Sequence, residues 1–432
     1  MSTSGLVVQP FSAPPDAEVA VPGSKSITNR ALVAAGLAEG TSRLSGVLRS
    51  DDTDAMVDAL RTLGIAVRAD DGGTEVSIDG GGGRVPSGPA DLDARLSGTT
   101  SRFLTPMVAL GSGRYRIDGG PPMRARPMTP LVEAVRSLGG RIEEEGAPGH
   151  LPFTVVADGL RGGAIEVSGD ISSQFLSALL LSGPAMAEGL EVRVTTALVS
   201  RPYVAMTLTT MADFGVEVAQ PDDTTFLVPP ASYRGTDVRI EPDASAASYF
   251  FAAAAITGGR VRVPGLGRRS TQGDLAFVEV LERMGAIVRS DDEGTEVVGT
   301  GALRGVDVDL TDLSDTAQTL AATAVFATGP TRVRGIGFIR RKETDRIAAV
   351  VRELRRCGIE AEEHPDGFSV HPGTPRPARI ETYHDHRMAM SFALLGLRAP
   401  GIEILDPACV EKTYPEFFAD LDRLRSSGPG GR

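Results

Sequence analysis

Leu63-Gly64, followed by Ile65-Ala66-Val67-Arg68-Ala69-Asp70-Asp71-Gly72-Gly73-Thr74-Glu75-Val76-Ser77-Ile78, reads as the end of a helix, then strand, polar turn and strand. A glycine after the last large apolar residue is a helix stop. The same pattern, an amphipathic helix closed by a large apolar residue or cysteine plus glycine, recurs at Leu138-Gly139, Phe214-Gly215, Met284-Gly285 and Cys357-Gly358. The spacings are 70 to 76 residues. A sixth, weaker copy runs from Phe417 to Gly428, with no strands after it. The segment Gly5–Pro10 is expected to be a strand that supplies the missing partner. Self-similarity at a fixed period marks a repeated supersecondary unit.

Between these copies lies a second recurring element, a nearly all-apolar stretch of small residues. It appears as SITNRALVAAGLAEG from Ser26, SGTTSRFLTPMVALGSG from Ser97, SSQFLSALLLSGPAMAEG from Ser172, SAASYFFAAAAITGG from Ser245, DTAQTLAATAVFATG from Asp315 and DHRMAMSFALLGLRAPG from Asp385. A helix apolar on every side is buried. Six units, each with an inner helix, an outer helix and short strands, predict an α/β architecture with helices packed on sheets. Three units per domain give two similar domains. The break falls between Pro229-Pro230 and Pro242. With the first strand closing the last unit, residues 1–21 join 241–432 and residues 22–240 form the other domain. Two chain crossings, near residues 22 and 240, then make a hinge, and hinges imply a cleft that closes on ligand.

The 432 residues carry a net charge of -12, so the surface as a whole repels nucleic acid and anionic membranes. An anion site must be a local basic pocket. Two cysteines, Cys357 and Cys409, exclude a disulfide framework or a cysteine-rich zinc site and fit a reducing compartment. Met1–Pro10 has no basic, then apolar, leader pattern. No apolar run is long enough to span a bilayer. A cytoplasmic protein is expected, with no nucleic-acid or membrane partner.

Reactive residue types gather where the predicted helices begin. Arg340-Arg341-Lys342-Glu343-Thr344-Asp345-Arg346 precedes a helix whose apolar face is Ile347, Val350, Val351 and Leu354, with Gly358 as the stop. Cations at a helix N-terminus oppose the macrodipole. Either the run is a solvated charged turn or it serves an anionic ligand. Gly23-Ser24-Lys25-Ser26 opens the first inner helix, with Arg30 one turn in. It lacks the spacing of a phosphate-binding P-loop, and a capping serine beside an exposed lysine is the plainer reading. Arg30 needs a partner if buried. Ser97-Gly98-Thr99-Thr100 opens the second, and Ser172-Ser173-Gln174 the third. Each is either a plain cap or a phosphate cradle. Arg124 and Arg126 sit in a loop stiffened by Pro121, Pro122 and Pro127. Asp315 opens the fifth helix, as an N-cap or as a general base. His384-Asp385-His386-Arg387 opens the sixth, without the further ligands a zinc site needs. Lys412 precedes the last helix. Lys25, Arg30, Arg126, Lys342, Arg346, Arg387 and Lys412 thus lie at equivalent ends of repeated units. They predict a cationic site for small polyanions, with Asp315 and Glu343 as an acid–base pair.

These residues are similar to the motifs of a known family. Pro22-Gly23-Ser24-Lys25-Ser26 with Asn29-Arg30, and Arg341-Lys342-Glu343-Thr344-Asp345-Arg346, resemble the two signatures of the 5-enolpyruvylshikimate-3-phosphate synthases, which are enolpyruvyl transferases. Ser172-Ser173-Gln174, Ser200-Arg201-Pro202-Tyr203, Asp385-His386-Arg387 and Lys412-Thr413 follow in the family's order. The resemblance implies two domains, each of three βαβαββ units in an inside-out α/β barrel, joined by a doubly crossed hinge. It implies transfer of the enolpyruvyl group of phosphoenolpyruvate to the 5-hydroxyl of shikimate-3-phosphate, through a tetrahedral ketal. By that resemblance Ser172, Ser173, Ser200 and Lys342 hold the shikimate phosphate. Ser26 and Arg30 take its carboxylate, Gln174 a ring hydroxyl and Tyr203 the ring face. Lys25, Arg126, Arg346, Arg387 and Lys412 surround phosphoenolpyruvate, with Gly98 and Gln174 at the same pocket. Asp315 accepts the hydroxyl proton, and Glu343 with Lys25 handles the methylene proton. No cofactor or metal is expected, and the family leans to monomers.

Some members of the family carry asparagine four residues before the signature lysine, where this chain has Phe338. The related transferase acting on UDP-N-acetylglucosamine has a reactive cysteine where this chain has Pro121, and asparagine where it has Ser26. A non-catalytic repeat scaffold is the third reading. It would not need acid–base residues and cations at matching helix ends.

Overall fold

A computed structural model of the chain describes residues 5–427. They fall into two compact units, Gly23–Glu241 and the remainder, and the chain passes from one to the other at Pro22–Gly23 and returns at Glu241–Pro242. Each unit has its own apolar core.

In the Gly23–Glu241 unit the inner helices are Lys25–Leu37, Gly98–Ala109 and Ser173–Ser182. The outer helices are Asp51–Thr62, Thr129–Ser137 and Arg201–Asp213. The middle repeat shows the full βαβαββ pattern. Strand Ala90–Asp93 lies parallel to Ser112–Asp118, which pairs antiparallel with Phe153–Asp158, itself paired with Arg141–Glu144. The first repeat obtains its leading strand from the far end of the unit, where Asp237–Arg239 runs parallel to Thr41–Ser45. The third repeat departs from the expected pattern. After Phe214-Gly215 the first of the two expected strands is reduced to a single bridge, Ala219 to Leu227, whereas the second, Thr225–Val228, forms and pairs antiparallel with Leu190–Val194. Pro221, two residues beyond Ala219, cannot donate to a ladder, so the pairing of the first ends there.

The other unit repeats the scheme. Its inner helices are Ala244–Thr257, Ala317–Ala324 and His386–Gly396, and its outer helices Phe277–Met284, Arg346–Arg356 and Phe417–Arg425. Asp16–Glu18 lies parallel to Arg260–Pro264 as a leading strand. Leu6–Val7 pairs antiparallel with Ile402–Ile404, in the place the sixth repeat leaves unfilled. Gly428, expected to end that repeat, lies outside the described residues.

Local chemistry explains both helix classes. Ala244 to Ile256 are buried without exception, because alanine and serine let neighbouring backbones approach on every side. The outer helix Arg346–Arg356 buries Ile347, Val350, Val351 and Leu354 along one face. Gly64, Gly139, Gly215, Gly285 and Gly358 all follow outer helices with φ between +76° and +112°. That left-handed conformation closes a helix and strains any residue with a Cβ.

Candidate active site

Within the Gly23–Glu241 unit the inner helices are tied pairwise near their N-termini. Asn29 Nδ2 donates to Thr99 Oγ1 (2.7 Å), Arg102 Nη1 to Gln174 Oε1 (2.6 Å) and Arg30 Nη2 to Ser177 Oγ (3.2 Å). Three positive helix ends therefore lie side by side. Ser24, Ser97 and Ser172 cap them, accepting from the backbone N–H of Ile27, Thr100 and Gln174.

Lys25 is not the exposed lysine of the plainer reading: its Nζ lies 3.1 Å from Oδ2 of buried Asp52. Arg30 is fully buried. Its Nε donates to Thr207 Oγ1 (2.7 Å), Nη1 to the Ser26 carbonyl (2.8 Å) and Nη2 also to the Tyr203 carbonyl (2.9 Å). These bonds fix Ser26 and Tyr203 relative to one another, and burial pulls the guanidinium down to about 10. Ser173 is buried, and so is Ser200, which enters the Arg201–Asp213 helix with φ +54°. At the Gly98 helix start a Cβ would fall 2.7 Å from Arg126 Nη1, so the glycine leaves room for that guanidinium.

In the other unit the inner helices meet through the same kind of contact. Ser248 and Thr319 hydroxyls lie 3.1 Å apart, Arg387 Nη1 donates to Tyr249 OH (3.4 Å), and Arg387 Nη2 donates to Asp315 Oδ2 (2.7 Å). Asp315 is not the cap of its helix. It sits in the 3-10 turn Ser314–Thr316 and faces three cations. Lys342 Nζ lies 2.6 Å from its Oδ1 and Arg346 Nη1 3.2 Å from the same oxygen, beside the Arg387 contact. Glu343 Oε2 pairs with Arg346 Nη2 (2.8 Å), and its Oε1 lies 3.5 Å from Lys412 Nζ. Asp385 caps the His386–Gly396 helix and binds Arg346 through both carboxylate oxygens.

The charged run before this helix thus divides. Arg341 is exposed, and Arg340 pairs with Asp345 and Glu363. Lys342 and Arg346 belong to the cluster. Lys342, Arg346, Arg387 and Lys412 face Asp315, Glu343 and Asp385, which leaves one positive charge in excess among these seven groups. Burial opposes ionisation of Asp315, but Arg387, Lys342 and Arg346 outweigh it and hold the carboxyl well below the usual carboxylate range. Burial lowers the Lys342 ammonium, an effect Asp315 partly offsets. Arg346 shows the opposite balance: burial disfavours its charge, yet Asp385, Glu343 and Asp315 together raise it.

The Phe338 ring sits 5.5 Å from Lys342 Nζ, so a cation–π contact stands where some family members have an asparagine. His384 and His386 do not converge: His384 is exposed with Nδ1 2.8 Å from Asp406 Oδ2, and His386 is buried. Burial pushes both thiols, Cys357 and Cys409, up to about 12, which makes them poor nucleophiles.

Arg102, Asp52 and Asp385 act in these clusters without having been singled out as site residues from sequence. Arg102 had a legible signal, since like Arg30 it is a guanidinium inside an apolar helix. It is buried against Phe175, 4.8 Å from the ring centre. Asp52 had none, its partner lying 27 residues away, and Asp385 was visible in Asp385-His386-Arg387 but not as the partner of Arg346, 39 residues before it.

Residues 12–421 match the model of the family described as EPSP synthase (3-phosphoshikimate 1-carboxyvinyltransferase). The chain is 48% identical to a 3-phosphoshikimate 1-carboxyvinyltransferase from Nostoc punctiforme, over 96% of this chain and 97% of the relative. It is 47% identical to one from Trichormus variabilis, over 97% and 99%. Among solved structures it is similar to an EPSP synthase from Acinetobacter baumannii, with a TM-score of 0.82 and 27% identity, covering 98% of each chain. Among the described residues no helix is long and apolar enough to cross a membrane.

Proposed function

The chain belongs to the EPSP synthase family, and on that premise we propose how its polar residues divide the work. The reaction is transfer of the enolpyruvyl (carboxyvinyl) group of phosphoenolpyruvate to the 5-hydroxyl of shikimate-3-phosphate, with release of phosphate. It belongs to the shikimate pathway, which leads to chorismate and the aromatic amino acids. Ser172, Ser173, Ser200 and Lys342 hold the shikimate phosphate. Ser26 and Arg30 take the carboxylate, Gln174 a ring hydroxyl and Tyr203 the ring face. Lys25, Gly98, Arg126, Gln174, Arg346, Arg387 and Lys412 accommodate phosphoenolpyruvate. Two polyanions repel each other, and fixed cations offset that repulsion and orient them.

Asp315 accepts the 5-hydroxyl proton as that oxygen bonds to C2 of phosphoenolpyruvate. Lys25 or Glu343 delivers a proton to the methylene carbon, giving the tetrahedral ketal. In the elimination Glu343 takes up a methyl proton as the C–O bond to phosphate breaks. The observation that carries this reading is the carboxylate of Asp315 ionised among Lys342, Arg346 and Arg387. A base surrounded by three cations is weak. A substrate phosphate drawing Lys342 to itself removes one of them and strengthens the base when it is needed.

The UDP-N-acetylglucosamine reading is disfavoured by Pro121 and Ser26, and by two thiols raised to about 12. A monomer acting in the cytoplasm completes the proposal, supported by the family's habit and by two unpaired cysteines. The test is phosphate release from phosphoenolpyruvate with each acceptor in turn. Release with shikimate-3-phosphate alone is expected. Release with UDP-N-acetylglucosamine alone would reverse the assignment.

A further inference from the structure

Glu353 is a fully buried carboxylate that no step above employs. It lies on the Arg346–Arg356 helix, seven residues and so about two turns beyond Arg346, on the same face. Its Oε1 accepts from Tyr383 OH (2.6 Å), and its Oε2 accepts from the Glu381 backbone N–H (3.0 Å) and pairs with Arg356 Nε (2.8 Å). A buried carboxylate costs stability unless well paired, and an apolar residue would pack there without that cost.

The segment it holds is unusual. Tyr383 and His384 both have φ of +54°, two consecutive left-handed residues with Cβ atoms. Such backbone persists only where the surroundings over-determine it. Glu353 bonds to both ends of the approach to this turn, the N–H of Glu381 and the phenol of Tyr383. Arg352 flanks the same ring, with Cζ 5.6 Å from its centre. Burial and the Glu353 contact both raise the Tyr383 phenol, which keeps it a donor. Beyond the turn stands Asp385, which holds Arg346, and then Arg387, which reaches Asp315. One helix therefore holds the chain on both sides of the turn, through Arg346 after it and Glu353 before it.

We propose that Glu353 is a positioning residue: it fixes the Tyr383–His384 turn and thereby sets where Asp385 and Arg387 enter the cationic cluster. The functional consequence rests on the reading of that cluster as the phosphoenolpyruvate site.

Steady-state kinetics on Glu353→Gln and Tyr383→Phe, with melting temperatures alongside, test the functional side. Glu353→Gln keeps one acceptor oxygen and Glu353→Ala keeps none. The expected order of KM for phosphoenolpyruvate is wild type, Tyr383→Phe, Glu353→Gln, Glu353→Ala, with the last raised about tenfold or more and kcat changed less. Adding Tyr383→Phe to Glu353→Gln should give less than the product of the two single effects, because both remove one contact. Should Glu353→Ala fail to fold, the other two variants carry the comparison. An active wild type, with both of those variants folded and their KM for phosphoenolpyruvate unchanged, overturns the inference. A crystal structure of Glu353→Gln reads the geometry without reference to turnover, so it decides the matter even if the substrate assignment fails. A relaxed turn and a lengthened Arg387–Asp315 contact support the proposal, and a superimposable turn sinks it.

Discussion

Arg346 and Asp385 form a two-point grip: Nε lies 2.7 Å from Oδ2 and Nη2 3.1 Å from Oδ1, with both side chains buried. The fork geometry fixes the plane of the guanidinium as well as its place, which a lysine could not do. Arg346 is thereby aimed at Glu343 and Asp315 before any ligand arrives. Asp385→Ala leaves that guanidinium buried without its principal partner. We expect a loss of about 3–5 kcal/mol in unfolding free energy, the usual cost of breaking a buried pair from one side. Urea denaturation measures it. A loss below about 1 kcal/mol would mean that the pair behaves as a surface bridge.

Asp315 makes stability depend on pH. Its folded carboxyl titrates well below the ordinary range, because Arg387, Lys342 and Arg346 prevail over burial. A depressed folded value contributes stability that is complete above the unfolded pKa, about 3.9, and is lost as pH falls through the folded one. The stability gap between wild type and Asp315→Ala should therefore be constant near neutrality and narrow below about pH 4. A gap unchanged down to about pH 3 would show that the cations do not hold this carboxylate.

Gly98 and Arg126 yield a steric prediction. A Cβ at Gly98 would lie 2.7 Å from Nη1 and 3.0 Å from Cζ of Arg126. The far end of an arginine can move, so Gly98→Ala should fold with little change in melting temperature. The displaced guanidinium should raise KM for phosphoenolpyruvate by about tenfold, the kinetic signature of lost ground-state binding. Unaltered KM with a folded variant would remove Arg126 from that pocket.

The repeat was legible because it leaves local marks. A glycine forced to positive φ, such as Gly358, and an all-apolar small-residue helix, such as Ala244–Thr257, are visible without any partner. The two leading strands were not. Asp16–Glu18 and Asp237–Arg239 are three residues each, too short for an alternation to stand out, and their partners Arg260–Arg262 and Arg43–Ser45 lie some two hundred residues away. The helix starts were legible as chemistry, but their pairings were not. Asp315 resembled a cap in sequence, and only the fold shows it facing Lys342, Arg346 and Arg387. Glu353 looked like one more polar residue on an outer helix.

Phe338 offers a finer test of how Lys342 is held. Phe338→Leu keeps apolar bulk and deletes the cation–π contact, which is worth about 0.5–2 kcal/mol. Lys342 is the proposed phosphate ligand, so KM for shikimate-3-phosphate should rise several-fold with kcat nearly unchanged. An unchanged KM would leave the ring as packing alone.

Glu343 separates enolpyruvyl transfer by these clusters from mere binding of anions. It lies against Arg346 and Lys412, where a glutamine would keep the shape but could not exchange a proton. The direct measurement is phosphate release from phosphoenolpyruvate and shikimate-3-phosphate by wild type and Glu343→Gln, with ligand binding followed by calorimetry. Wild type should release phosphate rapidly. Glu343→Gln should retain binding, lose most turnover and exchange the methylene protons more slowly in heavy water. Normal turnover in Glu343→Gln would contradict the assignment of that residue, and absence of release by the wild type would contradict the whole.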